Sequence, residues 1–80
     1  MKIPSIKKIA ESYSLDELKR AELALLEEQT PAIEIEGSDE GEQLTHIIAA
    51  LEIKEQMERD GIPFPKALRN YTHRVRNSIS

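Results

Sequence analysis

"SDEGEQLTHIIAALEIKEQMERDG", residues 38–61, decides how this chain folds. Ser38 or Asp39 offers a side-chain oxygen to cap a helix start, and Gly61 is a residue that readily takes the left-handed conformation at a helix end. Between them apolar residues recur at helical spacing, so the stretch predicts one long helix over about 39–60. At 100° per residue, Leu44, Ile47, Ile48 and Leu51 form one stripe, and Ala50, Ile53 and Met57 form a second. A helix apolar on two sides is buried between layers or shared with a partner. Glu55 and Glu58 interrupt the first stripe, whereas the second persists to Met57. Gly41 in the first turn costs about 1 kcal/mol relative to alanine unless another surface packs close to it. Gly41, Ala50, Ile53 and Met57 are therefore the expected interface.

Working outward, "IPSIKKIAESY" (3–13) places Ile3, Ile6, Ile9, Ala10 and Tyr13 at helical spacing, with Pro4 suited to a first turn. This predicts a helix over about 4–13. Ser14 and Glu17 fit a capping box, so a second helix should start at Leu15 and run to about 29. Its apolar face is Leu15, Leu18, Ala21, Leu25 and Leu26. Thr30-Pro31 ends it, because the residue before proline avoids the helical region. Ile33 and Ile35 then alternate with Glu34 and Glu36, which suits a short extended segment near 32–36. That segment either lids the core or pairs with its twin across a two-fold axis. "IPFP" (62–65) is a rigid connector, and Pro65 opens a fourth helix over about 65–79 with the face Phe64, Leu68, Tyr71, Thr72, Val75 and Ile79. The expected architecture is all-α, a compact four-helix domain spanning residues 1–80.

Eighty residues without cysteine leave a thin core and no disulfide or thiolate metal site to support it. Oligomerisation is the expected supplement, and a homodimer the expected state, with an unknown protein partner as a further possibility. Net charge is −4, unevenly spread: residues 31–60 carry two basic and nine acidic side chains, residues 61–80 four basic and none acidic. No stretch approaches the roughly 18 apolar residues of a membrane span. "MKIPSIKKIAESYS" lacks the apolar core and cleavage site of a signal peptide, so the expected location is cytoplasmic.

Asp39, Glu42 and His46 lie along one helical side, and a carboxylate and an imidazole four residues apart can share a metal ion or a proton. Completing such a site would take His73, Glu22 or a second subunit. The simpler reading is that Asp39, Glu40 and Glu42 serve the positive end of the helix dipole and that His46 makes a structural hydrogen bond. Lys66, Arg69, His73 and Arg76 form a stripe away from the last helix's apolar face, of the kind that tracks phosphates. No aromatic interleaves it, and the chain is acidic, so nucleic acid is not the expected partner. There is no Gly-x-Ser-x-Gly elbow and no Gly-x-Gly loop, and the two histidines are 27 positions apart. Neither catalysis nor a cofactor is expected.

The segments "KIPSIKKIAESYS", "DEGEQLTHIIAALEIKEQ" and "LRNYTHRVRNSI" together resemble a family of small uncharacterised helical proteins from Bacteroidetes-type bacteria. The resemblance implies a bacterial cytoplasmic protein and supplies no activity and no catalytic residues.

Overall fold

The computed structural model, which describes residues 2–79, is organised around one central helix. In chain order the elements are α1 (Ile3–Ser12), α2 (Leu15–Leu26), α3 (Glu40–Asp60) and α4 (Phe64–Ile79). The fold is all-α, as the periodicities require. α1, α2 and α4 each pack on α3, which explains why its apolar residues do not gather on one side: His46, Ile47, Ala49, Ala50, Leu51 and Ile53 are all buried.

That burial corrects the interface read from the sequence. Ala50 and Ile53 have no exposure within the single chain, because the chain's own helices cover the second stripe. Met57 is half-buried against the same core. Ile48, read as part of the first stripe, keeps 37% of its surface exposed. Gly41 is exposed, and the nearest atom to a Cβ built there is Oδ1 of its own cap residue Asp39, at 3.3 Å. The close approach occurs instead at Gly37, where a Cβ would stand 2.8 Å from Gln43 Cγ and 3.0 Å from Gln43 N.

α2 secures both of its own ends. Ser14 Oγ accepts from Glu17 N–H, and Glu17 Oε1 accepts from Ser14 N–H, closing the capping box. At the other end Gln29 N–H donates to Ala24 C=O and Glu28 N–H to Leu25 C=O, the paired bonds of a Schellman motif. The left-handed residue there is Glu28, at φ 59°. The helix therefore stops at Leu26, three residues before the sequence expectation. Leu26, placed on the core face by periodicity, is 60% exposed.

The chain from 27 to 39 is irregular, with no strand among the described residues. Ile35 is buried and Ile33 packs half-buried against the core, so the segment lids the bundle. α3 starts at Asp39, whose side chain accepts from Glu42 N–H at 2.7 Å, and ends at Gly61 in the left-handed region. α4 returns along α3, held at the surface by Arg74 Nη2 on Glu52 Oε2 at 3.4 Å, with the guanidinium 5.9 Å from the Tyr71 ring centre. Phe64, Ala67 and Tyr71 bury its inner face, and Leu68 and Val75 flank them. The side chain of Ile79, assigned to this face from sequence, lies outside the described residues.

Candidate functional site

α1 carries no side-chain cap at its N-terminus and no basic residue in its last turn. α3 supplies both. Lys2 N–H, at the N-cap position, donates to His46 Nε2 at 3.0 Å. At the other end Lys54 Nζ donates to Ala10 C=O at 2.8 Å. The two contacts join residues 44 apart in sequence, in the same order along each helix, so α1 runs parallel to α3. An ammonium on a C-terminal carbonyl also opposes the negative end of the helix dipole.

His46 is fully buried. A backbone amide can only donate, so Nε2 is the accepting nitrogen and Nδ1 bears the proton. Nδ1 then donates to Glu36 C=O at 2.7 Å. Both ring nitrogens are thus engaged by main chain, and the one accepting lone pair, on Nε2, is not open to a metal or a substrate proton. Glu42 does not reach the ring; its Oε2 lies 3.5 Å from Ser38 Oγ. Within this chain Glu42 and His46 therefore form no half-site. Asp39 is occupied as the α3 cap, and His73 is exposed on α4. Among the described residues no group of three or more His, Asp or Glu side chains is placed to hold a metal.

Around His46 is a network that periodicity did not reveal. Glu36 presents its carbonyl to His46 and its carboxylate to α1: Ser5 Oγ donates to Oε2 at 2.7 Å, and Lys8 Nζ lies 3.4 Å from Oε1. The Ser5 hydroxyl, followed by the Lys8 ammonium, holds the Glu36 carboxyl below its ordinary range. Gln43 Nε2 donates to Gly37 C=O at 3.4 Å, over the glycine whose missing side chain lets Gln43 close in. The only signal in the sequence was Ser5 and Lys8, three apart on one flank of α1. The arrangement fastens the 27–39 connection to two helices; its chemistry is structural.

Two surface features remain outside that network. On α4, Lys66, Arg69, His73 and Arg76 are all exposed. None makes an ion pair among the described residues. On α2, the solvent side holds Leu23 and Leu26, 57% and 60% exposed. Beside Ala24 a shallow groove of about 340 Å³ opens between α2 and residues 30–33, floored by Ala21, Ala24, Ala32 and Ile33 with Glu17 and Arg20 at its rim. Burial pushes the Tyr71 phenol above its ordinary value, helped by the Glu52 carboxylate and opposed by Arg74; it belongs to the α3–α4 contact and faces neither feature. No helix among the described residues is long and apolar enough to cross a membrane.

Neither a curated protein nor a solved structure matches the chain. The model of a family of unknown function (DUF6952) matches this helical domain over residues 1–80, and the chain belongs to that family.

Proposed function

We propose that the protein is a self-associating interaction module, a homodimer in the bacterial cytoplasm that the sequence resemblance implies. The observation that carries this reading is the solvent side of α2. Leu23 and Leu26 sit there more than half exposed, on a chain whose core is otherwise closed by its own helices. Single exposed leucines are common on soluble proteins, but two on adjacent turns of one helix make a contiguous apolar strip. His46, the imidazole of the candidate internal site, is committed to holding α1 and the 27–39 connection. Sedimentation equilibrium between roughly 10 µM and 1 mM, the range in which a small interface saturates, should show mass rising from 9.1 kDa toward twice that value. A mass fixed at 9.1 kDa throughout would dispose of the proposal.

A second reading is favoured by α4, an acid-free helix on which Lys66, Arg69, His73 and Arg76 are exposed, the first and last ten positions, about 15 Å, apart. Such a stripe fits the phosphates of a nucleic acid. Binding of a single-stranded RNA oligonucleotide, followed by fluorescence anisotropy, would then weaken steeply with salt. Absence of binding at low salt removes this reading.

A further inference from the structure

Resting on the self-association reading, the geometry points to one specific seam: two copies pair antiparallel through α2, about a two-fold axis level with the Leu23–Ala24 bond. At 100° and 1.5 Å per residue, Arg20 and Glu27 lie within about 20° of each other and about 10 Å apart along the helix. They therefore share one line on the solvent side of α2. Both are exposed, and Glu27 has no ion pair among the described residues. Arg20 Nη2 holds Asp16 Oδ2 at 3.0 Å, with both side chains mostly in water, which leaves the rest of the guanidinium fork open.

The midpoint between Arg20 and Glu27 falls between Leu23 and Ala24. An antiparallel copy turned about that point sets Arg20 opposite the partner's Glu27, and the two-fold repeats the pair on the other side of the axis. The same operation places Leu23 beside the partner's Leu23 on one flank of the seam, whereas Leu26, about 110° around the helix from the Arg20–Glu27 line, lies outside it. On the opposite flank Ala24 meets the partner's Ala24, and these small side chains let the helix axes come close. A parallel pairing would instead set Arg20 against the partner's Arg20 and Glu27 against the partner's Glu27. Self-complementarity in charge, with Leu23 on its flank, selects a second copy of this chain as the occupant.

One short helix per copy buries less than a standard interface, so the dimer is weak, with a dissociation constant on the order of 100 µM. The test is a charge-reversal cycle read by sedimentation equilibrium. Arg20→Glu alone and Glu27→Arg alone each place like charges opposite one another twice, and each should weaken the dimer by at least about tenfold. The double variant Arg20→Glu/Glu27→Arg restores the opposed pairs with signs exchanged and should recover most of the wild-type affinity. Leu23→Lys should abolish dimerisation. All these positions are exposed, and circular dichroism should show an unchanged helical fold in each variant. A dimer indifferent to Arg20→Glu and Leu23→Lys, or a double variant no better than the singles, overturns the α2 seam while leaving self-association standing. A wild-type chain that stays monomeric overturns both.

Discussion

α1 and α2 are neighbours of similar length, yet they solve the same problem in opposite ways. Each leaves unsatisfied N–H groups at its start and C=O groups at its end. α2 closes its ends from within, with the Ser14–Glu17 box and the Schellman bonds around Glu28. α1 has no side-chain cap of its own and receives His46 and Lys54 from α3, eight residues apart along that helix. A self-capped helix depends on local sequence and persists as long as its turns do. A helix capped by its neighbour exists only in the assembled fold, so its stability reports the assembly directly.

The largest test removes the N-terminal half of that dependence. His46→Ala deletes a fully buried ring, strips Lys2 N–H and Glu36 C=O of their partner, and leaves a cavity. A loss of about 3 kcal/mol is expected, since cavity and unsatisfied-group costs add. For an 80-residue domain that lowers the melting temperature by more than about 10 °C. His46→Phe, which refills most of the space without the hydrogen bonds, should recover only part of the loss. Full recovery would show that the ring matters by volume alone.

Lys54→Met keeps the aliphatic stem and removes the ammonium from Ala10 C=O. A half-buried bond from a charged donor contributes about 1.5 kcal/mol. Hydrogen exchange should accelerate along α1 and leave α2 protection nearly as it was. Ser14→Ala makes the mirror experiment: a loss of about 1 kcal/mol, with faster exchange in the first turn of α2 and little change in α1. If the two variants loosened both helices equally, the distinction between self-capped and neighbour-capped would collapse into one cooperative unit.

The same contrast explains what the sequence disclosed. Ser14 with Glu17, Asp39 and Gly61 are local signals, and each marked its helix end to within a residue. Helix α2 was read too long because its left-handed residue is Glu28 where glycine usually sits, so nothing in the letters marked the stop. Residues 32–36 were legible as an isoleucine alternation, and the lid reading matches where Ile33 and Ile35 pack. Lys2, His46, Glu36, Ser5 and Lys8 come together only through tertiary contact, across separations of 10 to 44 residues, and no spacing rule reaches that far. The alternation around Ala50 and Ile53 looked like a surface needing a partner. Three helices of the same chain supply it, which periodicity in one helix has no means of counting. Ala67 was missed for a related reason: alanine is neutral in pattern, and its value is the close helix approach it permits.

The smallest effect sharpens the comparison at its most exposed point, the Glu36 carboxylate that ties the 27–39 connection to α1. Its pKa in the folded chain is lowered from an ordinary 4.5, first by the Ser5 hydroxyl and then by Lys8. A depressed carboxylate pKa means that the unfolded chain takes up the proton more readily. The stabilisation is therefore fully present above pH 4.5 and is lost as pH falls through the lower folded value. Glu36→Gln keeps the backbone carbonyl on His46 and removes only the charge. At neutral pH the variant should melt slightly below wild type; as pH falls through the lowered folded-state pKa the two curves should converge, because wild-type Glu36 then becomes neutral as well. Added salt should narrow the neutral-pH gap, as screening weakens the exposed Lys8 pair. A gap that stayed constant from pH 7 to pH 3 would mean that α1 is held by His46 and Lys54 alone, and that the Glu36 carboxylate plays no part in closing the lid.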